Sequence, residues 1–133
     1  MPDLDVLGLD NVLLAVGDFA KAREFYAVKV GLAVKFEFEQ FGLVGFRLGP
    51  EEPGLLLRAQ EVPERPAAAD SPRFWLEVPD ARAAGAELVQ AGLDPLGEPR
   101  EINTGWVLEF ADPWGNVFGL TDYVKQPERG RRA

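Results

Sequence analysis

Val16-Gly17-Asp18-Phe19-Ala20 returns 62 residues later as Val78-Pro79-Asp80-Ala81-Arg82, and the helical stretches these open end at Gly31-Leu32 and Gly92-Leu93, 61 residues apart. In each copy an alternating apolar run leads to an aspartate suited to a helix N-terminus. Its carboxylate can accept from the first backbone N–H groups, which have no partner inside the helix. An amphipathic stretch comes next, with Phe19, Ala22, Phe25 and Tyr26 forming one stripe and Ala81, Ala84, Leu88 and Ala91 the other. Stripes of this kind read as core. A glycine then closes each stretch, where the chain must turn out of the helix.

Each helix is followed by short runs bounded by turn residues. Leu32 to Glu39, Leu43 to Leu48 and Leu55 to Arg58 read as strands of the first half, with Gly49-Pro50-Glu51-Glu52-Pro53-Gly54 as the last turn. In the second half a weak run near Asp94 to Glu101 precedes Gly105 to Ala111 and Asn116 to Tyr123. Asp112-Pro113-Trp114-Gly115 fits a type I turn between the last two, with Trp114 expected exposed at its tip. Each half is a βαβββ unit, and neither can bury both sheet faces alone. The expectation is an α+β fold in which two βαβββ modules form a curved mixed sheet around a cavity. Residues 1–124 make a single domain: module one spans 6–58, a Pro-, Ala- and acid-rich linker 59–72, and module two 73–123. Residues 125–133 form a basic tail.

The 133 residues suffice for one core without disulfides. The chain has no histidine and no cysteine, so the commonest metal ligand and general base, and the usual soft ligand and nucleophile, are excluded. Any chemistry falls to carboxylates, Lys, Tyr, Ser, Thr or backbone, and binding comes ahead of catalysis. Compartment cannot be read from thiols. Met1-Pro2-Asp3-Leu4-Asp5 lacks a basic region followed by an apolar run, so no signal peptide or membrane span is expected, and a cytoplasmic location follows by default. Residues 1–124 carry 10 basic and 21 acidic side chains, whereas the tail carries four basic residues against Glu128. Such a body repels nucleic acid and attracts cations. The tail reads as a frayed, solubilising end.

Two motifs carry a resemblance over residues 7 to 123. Asn11-Val12-Leu13-Leu14-Ala15-Val16-Gly17-Asp18, with Ala22, Phe25-Tyr26 and Gly31-Leu32, resembles the opening of the vicinal oxygen chelate superfamily of glyoxalases, extradiol dioxygenases and bleomycin-resistance proteins. Phe110-Ala111-Asp112-Pro113-Trp114-Gly115-Asn116, with Phe118 and Leu120, is similar to its terminal hairpin. Enzymes of that family hold a divalent metal largely through histidine and glutamate. The resemblance places their four ligand positions on Asn11, near Leu56, on Arg73 and on Gly119. An amide binds divalent ions weakly, leucine and glycine offer no donor side chain, and a guanidinium repels the ion. No metal and no cofactor are therefore expected.

Strand alternation sorts the faces. In Arg73 to Val78, Phe74, Leu76 and Val78 suit a helix-packed face and Arg73, Trp75 and Glu77 the open one; Asn11, Leu13 and Ala15 share the open face in the first strand. Pairing Ala111 with Asn116 in the last hairpin would add Trp106, Leu108 and Phe110 to the open face, opposite Thr121 and Gly119, although a bulge would invert this register. The expected ligand-binding set is Asn11, Arg73, Trp75, Glu77, Trp106, Leu108, Phe110 and Gly119, with Thr121 nearby; Phe36 and Phe38, or their alternating neighbours, can join it. Arg73 and Glu77 can also simply pair with each other across Trp75. Apolar walls with a few fixed polar groups suit a small molecule. The leading reading is a metal-free binding protein resembling the bleomycin-resistance branch, a homodimer that sequesters a hydrophobic, planar or cationic organic molecule. A second reading is an enzyme with Glu77, or Glu109 in a shifted register, as general base. A third is a protein-interaction module.

Overall fold

The computed structural model describes residues 4–7, 9–50 and 53–131. Met1 to Asp3, the Glu51-Glu52 pair of the expected turn, and Arg132 of the basic tail lie outside that set. Module one runs β1 (Asn11–Val16), α1 (Phe19–Glu24), β2 (Ala33–Phe38), β3 (Leu43–Arg47) and β4 (Gly54–Ala59). Module two runs β5 (Arg73–Glu77), α2 (Ala81–Gln90), β6 (Arg100–Glu101), β7 (Trp106–Ala111) and β8 (Val117–Thr121). The weak run before residue 101 yields only β6 and one bridge from Pro95 to Phe110.

Both helices start as their caps require. Asp18 accepts from the Lys21 N–H and Asp80 from the Ala83 N–H, each at 3.0 Å. After Glu24 the first helix loosens into a π-turn over Phe25–Lys29, with the Val30 N–H reaching back to the Phe25 carbonyl at 2.9 Å. The wider turn lets two adjacent aromatics, Phe25 and Tyr26, both point inward. On α2 the buried line is Ala81, Gly85 and Leu88, and Ala91 is exposed. Ala84 packs against the core as the stripe expects, and Gly85 joins it in the seam, where Leu108 Cδ2 lies 2.7 Å from the position a Cβ on Gly85 would take.

The strands form two four-stranded mixed sheets, β1-β4-β3-β2 and β5-β8-β7-β6, with the first and last strands of each module parallel. The helices lie between the sheets, and the two sheets do not close into a barrel. One core joins them: Phe46 and Leu57 from the first sheet meet Phe110, Phe118 and Leu120 from the second around Phe25 and Tyr26. The Tyr26 ring stands 6.1 Å from Phe46 and 6.2 Å from Phe118. The opposite face of each sheet points away from the helices. Among the described residues no helix is long and apolar enough to cross a membrane.

Trp114 is not at an exposed tip. It is 2 % exposed and lies against Gly17 and the Val62 carbonyl, beneath the linker. Arg65 secures that cover, its N–H donating to the Pro113 carbonyl at 2.9 Å and its Nε to the Trp114 carbonyl at 3.1 Å. A turn tip reads as solvent from sequence. Here the linker crosses it.

Candidate functional site

The last hairpin sets the face of every residue on β7. Ala111 pairs with Val117, Glu109 with Gly119 and Leu108 with Leu120, one residue displaced from the Ala111–Asn116 pairing the sequence suggests. The reason is the loop. Asp112 and Asn116 close it through a 2.9 Å backbone bond, leaving three residues between them with Gly115 at φ +84°, the three-residue connection in which a left-handed glycine follows a type I turn. A slip of one residue turns over a whole strand. Leu108 and Phe110 therefore face the helices and are buried, and Phe110 lies against Phe118. Trp106 also leaves the open face: it packs on the core, with the Arg82 guanidinium of α2 4.1 Å above its ring.

The shifted register brings Glu109 onto the open face in their stead. Glu109 joins Arg73 and Trp75, which alternation places there. Arg73 Nη1 donates to Glu109 Oε1 at 2.8 Å, and the Trp75 indole Nε1–H donates to Oε2 at 3.0 Å. Gly119 is the floor beneath the indole: a Cβ there would stand 2.7 Å from Trp75 Cδ1 and 3.2 Å from Glu109 Cγ. Arg73 is held from the other side by linker carbonyls, Nε to Ser71 at 3.2 Å and Nη2 to Ala69 at 3.0 Å. The guanidinium is thus fixed and the Glu109 side chain only 12 % exposed, while Trp75 remains 44 % exposed. The result is an indole plate of set orientation, open on one side. Arg73 does not pair with Glu77; Glu77 binds Arg131 of the tail instead.

The first sheet has its own open face. Leu13 pairs with Leu56, Leu56 with Gly45, and the Phe36 ring lies over Gly45 at 2.5 Å from where a Cβ would be. Phe38 stands 5.7 Å from Phe36, and Leu13 is 58 % exposed. Of the sequence-derived set, Asn11 is on this face, with its amide on Asp10 at 3.1 Å. Asn11 and Leu56 therefore sit on one sheet and Arg73 and Gly119 on the other, with the helices between. Those four side chains do not form a donor set for a divalent ion, and Glu109, the carboxylate nearest Gly119, already has both oxygens engaged. No group of three or more Asp or Glu among the described residues is placed to hold a metal.

Among the described residues two groups have clearly shifted pKa values, and both lie at the junction of the modules. Tyr26 donates from its hydroxyl to Asp112 Oδ2 at 2.7 Å, and Asn116 Nδ2 donates to the same oxygen at 2.8 Å and to the Ala15 carbonyl of β1 at 2.8 Å. Burial raises the Asp112 carboxyl above its ordinary range, against the lowering effect of the Asn116 and Tyr26 bonds and of the Asn116 and Trp114 N–H groups. Burial, then the Asp112 charge, pushes the Tyr26 hydroxyl well above its ordinary value. An acid whose folded pKa is raised stabilises fully below its unfolded pKa, about 3.9 for aspartate, and that contribution is lost as pH rises through the higher folded value. Stability of the native chain relative to Asp112→Asn should therefore fall as pH is raised from about 4 in urea titrations. At constant pH, Tyr26→Phe should cost about 1–3 kcal/mol, since it strips a donor from a buried carboxyl.

Sequence reasoning reaches Glu109 only as the consequence of a shifted register, and it misses Arg131. The signal for the first is Gly115, whose place after Asp112-Pro113-Trp114 permits the three-residue loop. The tail has no apolar periodicity from which its docking could be read.

A family model described as Glyoxalase/Bleomycin resistance protein/Dioxygenase superfamily matches residues 8–120. Among solved structures, TnmS3, an antibiotic binding protein from Streptomyces sp. CB03234, is 21% identical with a TM-score of 0.71, over 91% of this chain and 99% of that one. A lactoylglutathione lyase from Agrobacterium tumefaciens is 18% identical with a TM-score of 0.70, over 96% and 99%. A member of the same superfamily from Sphaerobacter thermophilus is 20% identical with a TM-score of 0.71, over 90% and 99%. These likenesses are of fold. No curated protein matches the chain.

Proposed function

We propose that this chain, which belongs to the Glyoxalase/Bleomycin resistance protein/Dioxygenase superfamily, binds and sequesters a planar, positively charged organic molecule on the open face of its second sheet. The observation that carries this is the Trp75 indole, half-exposed, floored by Gly119 and held by its N–H to Glu109. A ring held at one orientation loses little entropy when a second ring stacks on it, and its face attracts cations. The acidic chain, with net charge −8, concentrates such ligands. An antibiotic binding protein of the same fold gives the reading a precedent in kind.

The pocket is completed by a second copy of the chain. Each chain turns two sheet faces outward, one bearing Trp75 and the other the apolar Leu13, Phe36 and Phe38. A two-fold pair can lay the second over the first, roofing the indole. An enzymatic role for Glu109 is less well supported, because Arg73 and Trp75 engage both of its oxygens. The residues at Asn11, Leu56, Arg73 and Gly119 do not fit a divalent metal.

Fluorescence titration with the planar cation proflavine tests the reading. The native protein should show saturable tryptophan quenching, and Trp75→Ala should weaken proflavine binding by about tenfold, the worth of a cation–π stack of roughly 1–2 kcal/mol. Equal affinity in native protein and variant, both folded, would remove Trp75 from the site.

A further inference from the structure

We propose that Glu77 is the carboxylate that receives the ligand's positive charge, and that the C-terminal segment 125–131 holds Arg131 there as an internal substitute until the ligand displaces it. This rests on the binding function proposed above. Glu77 is the next open-face residue after Trp75 on β5, so the two side chains are about 7 Å apart along the strand. Arg131 binds both oxygens of that carboxylate, its backbone N–H donating to Oε2 at 2.6 Å and its Nη1 to Oε1 at 2.8 Å. The partners are unequally placed. The Glu77 side chain is 17 % exposed and built into the sheet, whereas that of Arg131 is 79 % exposed and reaches it from outside.

The rest of the segment is held as a strap is held, at a few surface points. Lys125 pairs with Glu101, Gln126 Nε2 donates to the Asn103 carbonyl at 3.2 Å, and a short 3-10 turn at Pro127–Arg129 brings Gly130 against Tyr123 and Glu77. Exposed ion pairs are weak and salt-screened, so the strap can be displaced. A carboxylate already satisfied by two N–H donors, one from a guanidinium, would accept the same donors from a ligand. The ligand class this specifies is a flat ring system carrying a guanidinium, amidinium or protonated amine about 7 Å from its stacked portion, the spacing of alternate residues on a strand.

The test compares proflavine with 9-anthracenecarboxylate, a planar anion of similar size, on the intact chain and on Arg131→Ala, Glu77→Gln and the double variant. Removing a competitor held by a surface ion pair should raise proflavine affinity about threefold to fivefold at low salt. The gain should shrink as salt is added, and anthracenecarboxylate should gain nothing. Glu77→Gln should weaken proflavine binding and cancel the effect of Arg131→Ala. Independently of affinity, the Arg131 amide should be protected from hydrogen exchange in the free native chain and lose protection in Glu77→Gln or on saturation with proflavine. Unchanged proflavine affinity in Arg131→Ala, or an equal gain for the anion, would overturn the strap while leaving the binding function standing. No binding of either dye to any variant would overturn both.

Discussion

Asp122→Ala should lower the unfolding free energy by about 3–5 kcal/mol, a loss at the upper end of what single side-chain truncations produce. Asp122 is fully buried. Its Oδ2 accepts from the Ala81 N–H at 2.7 Å and its Oδ1 from the Trp106 N–H at 3.0 Å. One carboxylate thus joins the start of α2 to the start of β7 from its place just after β8. Alanine would leave those N–H groups buried and unpartnered, and each such group costs roughly 1–3 kcal/mol. Gly105 closes against Asp122 so tightly that no side chain fits between them, so the loop cannot readily shift to supply a replacement acceptor. Urea denaturation of native protein, Asp122→Ala and Asp122→Asn would measure this. The amide keeps one acceptor and should fall between. A loss under about 1 kcal/mol in the alanine variant would show that water or backbone satisfies those donors instead.

Gly119→Val should have the largest effect on ligand binding. A valine Cβ would lie 2.7 Å from Trp75 Cδ1 and 3.2 Å from Glu109 Cγ, so the indole must leave its floor and give up its 3.0 Å bond to Glu109. Trp75 is exposed enough to swing into solvent, which spares the fold, and valine suits a strand interior. Proflavine affinity should drop by more than about tenfold, beyond the loss from a missing stack alone, while urea stability changes by less than about 1 kcal/mol. If the variant binds as tightly as the native chain, the orientation of the indole is irrelevant to recognition. A variant that fails to fold would place Gly119 in the core rather than at the site.

The parts of the fold legible in the sequence are those written in local chemistry. Asp18 and Asp80 announce both helix starts, glycines at 31 and 92 their ends, and the alternation of Arg73 to Glu77 puts Trp75 on the open face. The misreadings depend on a count of one residue or on distant chain. The hairpin pairing turns on whether Asn116 belongs to the loop or the ladder, and that single choice moves Leu108 and Phe110 from the open face to the core and brings Glu109 out. Trp114 is misplaced by sequence reasoning because nothing near it along the chain announces the linker that covers it. Glu77 finds Arg131, 54 residues away, rather than Arg73. Such a contact has no local signature, since either arginine satisfies a carboxylate equally well on paper.

The π-turn at Phe25–Lys29 explains a discrepancy in the arithmetic of the repeat. The two copies are offset by 62 residues where their helices begin and by 61 where they end, so the first helical stretch holds one residue more. A π-turn is how a helix absorbs an inserted residue without rotating the chain beyond it. The extra residue belongs to the first copy alone. At that place two neighbouring rings, Phe25 and Tyr26, stand against Phe118 of the other copy. The extra residue that makes the first helical stretch longer thus lies where the two halves share their core.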